Sequence, residues 1–259
     1  MLRLWLSFLL LAACACAADQ QRVVTSIIPS LDYGPSCWSS LTLTNLGDRM
    51  VTVEVLAHRE GGGLVALADL SPAILHLDPG ERSTHRLEIA DESGQGWLKV
   101  RERIPEPKLS PAIAVSAVSE CTIHNQLLTT PRQLSYPTRN PWFSGDIDEM
   151  HGNVISLVNT SERDARASLC YSAGNLYSVP TEGQPAPELS LVCSHTFDVQ
   201  IPPYAARQFP VEREGSSHFS IKTQGEAIVL QMLRPAESGV KVYKVDSNIT
   251  FGGEVPSGN

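Results

Sequence analysis

Leu41-Thr-Leu-Thr-Asn45-Leu-Gly-Asp-Arg49-Met-Val51-Thr-Val-Glu-Val55 is the stretch whose reading decides the fold. Leu41, Leu43, Val51, Val53 and Val55 alternate with Thr42, Thr44, Thr52 and Glu54, the period of two expected of strands with one apolar face. Asn45 to Arg49 supplies the turn, so the segment reads as a half-buried hairpin. The pattern returns 114 residues later as Ile155 and Leu157, the turn Asn159-Thr-Ser-Glu-Arg163, then Ala165, Ala167 and Leu169. Both turns follow one formula: Asn, any residue, Gly or Ser, an acid, Arg.

Working outward, further anchors keep the same order in both halves. Leu77-Asp-Pro79 precedes a strand with His85 and Leu87, and Ile201-Pro-Pro203 precedes one with Phe209 and Val211. Trp97-Leu-Lys-Val100 then answers His218-Phe-Ser-Ile221, and the apolar strand Ala112 to Val118 answers Ala227 to Leu233. The second half holds ten extra residues, placed in the loop around Thr181 to Pro187. Two copies of about seven short strands predict an all-β chain of two tandem immunoglobulin-like β-sandwich domains. The boundaries are 19–130 and 131–259, with the junction in Leu127 to Tyr136, whose first strand is open to assignment to either domain. Val240, Val242 and Val245 make a last strand, and Gly252 to Asn259 reads as a frayed tail.

Residues 1–18 read as a signal peptide: Arg3, the apolar run Leu4 to Ala13, then Ala15-Cys-Ala17-Ala18. Ordinary cleavage near Ala17 or Ala18 is the first reading. The second is acylation of Cys14, because Leu11-Ala-Ala-Cys14 resembles a bacterial lipobox. Cys37, Cys121, Cys170 and Cys193 remain, an even number in a compartment that permits disulfides. Three pairings exist, and Cys37 with Cys121 and Cys170 with Cys193 is favoured because each bridge then stays within one domain. With 28 acidic and 20 basic residues the net charge is −8 and no basic stripe is present, which argues against nucleic acid as a partner.

The strand Leu41-Thr-Leu-Thr-Asn45, the turn Leu77-Asp-Pro79-Gly80 and the alternation after it resemble exported bacterial β-sandwich repeats related to the sperm-protein and pilus-chaperone domains, and the second copy, with Ser156-Leu-Val-Asn159-Thr and Phe197-Asp-Val-Gln-Ile201-Pro-Pro203, is similar to repeats of large secreted bacterial proteins. Arg103-Ile-Pro105 is similar to the loop before the subunit-binding strand of a pilus chaperone. That family grips a client carboxylate with two basic residues in its interdomain cleft. Arg22 matches the first, and Ser119-Glu-Cys121-Thr-Ile-His124 has no basic residue for the second.

Gly-x-Ser-x-Gly, Ser-x-x-Lys and His-Glu-x-x-His are absent, so no catalytic residue is assigned, the seven His are read as surface or edge residues, and no cofactor is expected. Asp146, Asp148 and Glu149, with His151, group oxygens suited to a hard cation, and read otherwise as a solvated acidic loop. Asn175 to Leu189 is either a recognition loop or tolerated surface length. Trp38, Trp97 and Trp142 suggest a sugar platform, with core or inter-sheet roles preferred for Trp38 and Trp97. Asn159-Thr-Ser161 and Asn248-Ile-Thr250 are glycosylation sequons. The expectation is a non-catalytic secreted or periplasmic binding, adhesion or scaffold protein with a protein or glycan partner at the cell envelope. It would touch a membrane only through a lipid on Cys14. The alternative is a periplasmic chaperone-like assembly factor using the interdomain cleft.

Overall fold

The computed structural model describes residues 22–65, 73–87, 94–106, 109–123, 125–132, 134–146, 153–173, 193–211, 213–235, 243–245 and 252–254. Residues 1–21, with Cys14 and the expected signal peptide, the 174–192 insertion, Asp148, Glu149, His151 and Asn248 lie outside them. All regular structure among the described residues is strand. The first half contains β1 (Arg22–Tyr33), β2 (Cys37–Asn45), β3 (Val51–Arg59), β4 (Leu64–Val65), β5 (Ile74–Leu77), β6 (Arg82–Leu87), β7 (Gly94–Ile104), β8 (Ile113–Ile123) and β9 (Gln126–Arg132). The second contains β10 (Arg139–Asp146), β11 (Val154–Asn159), β12 (Ala165–Ser172), β13 (His195–Ile201), β14 (Ala206–Pro210), β15 (His218–Gln224), β16 (Ile228–Pro235), β17 (Tyr243–Val245) and β18 (Gly252–Glu254).

Two sheets build the first half, β1-β7-β3-β4 with β5 also on β3, and β6-β2-β8-β9. The second half repeats them as β13-β12-β15-β10-β18 and β14-β11-β16-β17. Strand for strand the pairings agree: β1 on β7 as β10 on β15, β3 on β7 as β12 on β15, and β2 on β8 as β11 on β16. Each pair of sheets closes over its own core. Ile28, Leu41, Leu43, Val53, Val55 and Leu98 fill the first, and Ile155, Leu157, Leu169, Phe219, Ile221 and Met232 the second.

The expected hairpins are a correction. β2 pairs with β6 and β8, whereas β3 pairs with β4, β5 and β7, so the turn between them carries the chain from one sheet to the other. β11 and β12 behave alike. An inter-sheet arch and a hairpin share the same alternation, and here both strands aim their apolar sides at one core from opposite walls.

The arch is held by its asparagine. The Asn45 side-chain amide donates toward the carbonyls of Arg49 at 2.7 Å, Leu77 at 3.0 Å and Asp78 at 3.1 Å, and its Oδ1 accepts the Gly47 N–H at 2.9 Å. Asn159 repeats this with Arg163 at 2.7 Å, Ile201 at 3.2 Å, Pro202 at 3.0 Å and the Ser161 N–H at 3.1 Å. Both residues are 0% exposed. The formula recognised in the sequence is therefore a polar plug that joins the arch to the proline turn. It also buries the first sequon, since the Asn159 nitrogen is already engaged.

Disulfides join Cys37 to Cys121 across β2 and β8, with Cα atoms 4.1 Å apart, and Cys170 to Cys193 beside β13, at 5.3 Å. Each stays within one half. β9 pairs with β8 as far as Arg132, which assigns the first strand of the Leu127–Tyr136 junction to the first sandwich. Gly252–Glu254 is strand against β10, so that part of the expected frayed tail has a partner.

Candidate functional site: the seam between the sandwiches

Along β7, Leu98 and Val100 point into the first core, which turns Trp97 and Lys99 outward. His58 stands opposite Trp97 on β3 and Ile27 opposite Lys99 on β1, so these four side chains share the outer face of one sheet. That face is covered. Ile27 and Trp97 pack against Val158, Ala206 and Val229 on the outer face of the β14-β11-β16-β17 sheet, with Tyr204 alongside.

Polar contacts fix the approach. Trp97 Nε1 donates to the Tyr204 carbonyl at 2.9 Å, the Ala206 N–H to the Glu60 carbonyl at 2.7 Å, and Lys99 Nζ to the Thr160 carbonyl at 3.3 Å. Gln208 Nε2 donates to Gln95 Oε1 at 2.8 Å. The turn of Pro202, Pro203 and Tyr204 comes close enough that a Cβ on Gly62, at φ +94°, would lie 2.6 Å from the Pro203 carbonyl. Only glycine fits there. Tyr204 itself holds a φ of 57°, a conformation that costs a non-glycine residue energy and is maintained by the packing around it.

The His58 ring stacks on both aromatic partners. Its centroid is 4.2 Å from that of Trp97, at an interplanar angle of 8°, and 5.1 Å from that of Tyr204, at 15°. Nδ1 is 3.2 Å from the Gly62 carbonyl and must carry its proton to bond there, which leaves Nε2 an acceptor. Nε2 is buried without a partner, as are Ser30 Oγ, Ser156 Oγ and Gln231 Oε1. Ser156 and Gln231 are register partners on the seam face of the second sandwich. A cavity of about 20 Å³, bordered by Asp32, Ser39, His58 and Trp97, lies under the stack and is large enough for a water molecule. Asp32 is held by an ion pair with the buried Arg132, by Gln95, and through its carbonyl by Ser39.

Burial pushes the His58 imidazole below its ordinary value of 6.5, and the Lys99 charge adds to this, while the Gly62 carbonyl opposes it. Burial also lowers Lys99, whose ammonium lies 5.5 Å from the Tyr204 ring centroid. A base with a lowered value stabilises the closed seam while neutral. Its contribution is complete above pH 6.5 and is lost progressively as the pH falls below that value. The unfolding midpoint should therefore drop on acidification more steeply in the native chain than in His58→Phe, which stacks but cannot titrate. Parallel midpoint curves for the two proteins would rule this out.

The other expected sites are dispersed. Asp146 ends β10, while its proposed co-ligands lie outside the described residues, among which no three His, Cys, Asp or Glu side chains come together. Trp97 is 0% exposed and packs between the sandwiches rather than within a sheet pair. Trp38 departs from its expected core role: it lies partly exposed on the outside of β2, donating to Glu120 under the Arg86 guanidinium. Trp142 stands on another sheet, so the three do not form one platform. Arg22 opens β1 opposite Ile104. Ser144 Oγ lies 2.7 Å from His218 Nε2 on the exposed outer face of β10 and β15, a hydroxyl beside an imidazole on an open sheet rather than in a pocket.

His58 was missed by sequence reasoning because the alternation that puts Val55 and Ala57 inward puts His58 outward, where it reads as surface. The duplication carried a usable signal. By register, Trp97 and His58 correspond to His218 and Ser172, and Ile27 and Lys99 to Ser144 and Ser220. Val158, Val229 and Ala206 correspond to Thr44, Ala114 and Arg82. On the two faces that meet, Trp97, His58 and Ile27 replace His218, Ser172 and Ser144, and Val158 and Ala206 replace Thr44 and Arg82. No family model, curated protein or solved structure matches the chain.

Proposed function

We propose that this chain is a non-catalytic exported protein, secreted or periplasmic, whose two immunoglobulin-like β-sandwiches act as a binding, adhesion or scaffold module for a protein or glycan partner at the cell envelope. The observation that carries this reading is the seam: Trp97, His58 and Tyr204, with the hydrogen bonds from Trp97, Lys99 and Ala206, hold two duplicated domains in one relative orientation. A fixed orientation is what a module presenting two sets of end loops to a partner requires. Two disulfides agree with an oxidising compartment, periplasmic or extracellular.

The immunoglobulin-like part of the reading is supported by four strands of each copy. β2 pairs with β6 and β3 with β7, as B pairs with E and C with F in that fold. The flanking strands differ, with β1 beside β7 and β8 beside β2. The assembly-factor alternative needs room for a client between the domains, and at the seam that room is filled by side chains. Capture from the envelope after mild cross-linking decides between the two. Retention of a folded protein or a glycan is expected, and stoichiometric recovery of unfolded exported subunits would sink the scaffold reading.

A further inference from the structure

The arches of the two copies differ where they face outward. Leu46, within the Asn45–Arg49 turn, is 73% exposed, Met50, directly after it, 59%, and Val23 on β1 40%. Counting from the shared asparagine, Leu46 corresponds to Thr160 and Met50 to Asp164. Counting two residues back from the matched pair Thr25 and Trp142, Val23 corresponds to Asn140. All three positions are apolar in the first copy and polar in the second. Thr160 is also docked, since it accepts from Lys99 at the seam, whereas Leu46 stands free at the far end of its own sandwich.

These three residues occupy the end at which the chain arrives from its leader. Arg22, the first residue of β1, pairs with Ile104 at the end of β7, and the next pair along, Thr52 with Arg103, sets the start of β3 beside it. Leu46 follows β2 and Met50 precedes β3 at that same end. Four arginines there, Arg22, Arg49, Arg82 and Arg103, are matched by Asp48, Asp78, Glu81 and Glu106, so this end is locally neutral while the chain as a whole is −8. Cys14 precedes Arg22 by eight residues, a span of at most about 27 Å when extended, so a lipid on it would tether this end within reach of a bilayer.

We propose that the Val23, Leu46 and Met50 end of the first sandwich rests on a lipid surface, with the Leu46 and Met50 side chains set into the interface. This deepens the envelope reading above and rests on export. Apolar side chains presented at a neutral end are attracted by lipid and not repelled by its headgroup charge. The second sandwich, held by the seam, would then stand away from the membrane with its own loops free for a partner.

The test uses the exported protein with vesicles of phosphatidylethanolamine and phosphatidylglycerol, and follows oxidation of Met50 by dilute peroxide with mass spectrometry. Buried Met232 serves as the internal reference. Oxidation of Met50 should slow about tenfold when vesicles are added, and vesicle binding should weaken about tenfold in the triple variant Val23→Asn, Leu46→Thr, Met50→Asp. These substitutions are at exposed positions and install the residues of the second copy, and an unchanged unfolding midpoint confirms that the variant folds. Equal Met50 oxidation with and without vesicles would overturn the proposal, including the case in which an acyl chain alone holds the protein to the membrane. Failure of the binding-module reading would show separately, in the capture experiment.

Discussion

Replacing Trp97 by alanine should lower stability by about 3–5 kcal/mol and uncouple the two sandwiches, the largest effect expected of any single side-chain truncation at the seam. The indole is wholly buried between domains, touches Ile27, Val158, Ala206 and Val229 as part of one cluster, and provides the face on which His58 stacks. Alanine removes all of this and leaves the Tyr204 carbonyl without its donor. Because each sandwich keeps its own core, the lost energy falls on the coupling rather than on either unit. Urea unfolding should change from one transition to two, and protease should begin to cut near Ser135 to Thr138. Trp97→Phe, which restores most of the volume without the N–H, should recover more than half of the loss. A single unchanged transition in Trp97→Ala would show that the seam contributes nothing to the coupling.

The second large effect is expected at the arches. Asn45→Ala and Asn159→Ala should each cost about 2–3 kcal/mol, because the amide that serves three carbonyls disappears and the buried one, that of Leu77 or Ile201, is out of reach of solvent. Aspartate should be worse than alanine at both positions, since a carboxylate donates no hydrogen bond and places a charge among carbonyl oxygens. Asn159→Ala should also loosen the seam, because the turn it holds at Pro202 leads directly to Tyr204. Asn45→Ala should leave the seam intact. A loss below about 1 kcal/mol in either alanine variant would mean that water replaces the amide and that the arch is held by packing alone.

Strand content, the two cores and the disulfide partners were legible because they depend on alternation and on duplication, both written along the chain. The arches were not, because Leu41, Leu43, Val51 and Val53 would alternate identically in a hairpin. A connection of five residues that opens on a buried asparagine is the trace of the difference. His58 was misread as surface, and the partner sheet of Trp97 was not identified, for a related reason. Periodicity reports which side of a strand faces its own sandwich, and here the other side is covered by a second domain whose position no local pattern encodes. The exposed Leu46 and Met50 became informative only once the copies could be laid over each other by register.

The seam joins an outer face of one copy to a non-equivalent outer face of the other, a head-to-tail contact between related units that would, if its chemistry were repeated, build a ring or an open filament. It is not repeated. The face that a third unit would meet beyond the second sandwich carries Ser144, Ser172 and His218, and the one before the first carries Thr44, Ala114 and Arg82. Neither face therefore offers a further copy of the unit the apolar and aromatic chemistry by which these two meet.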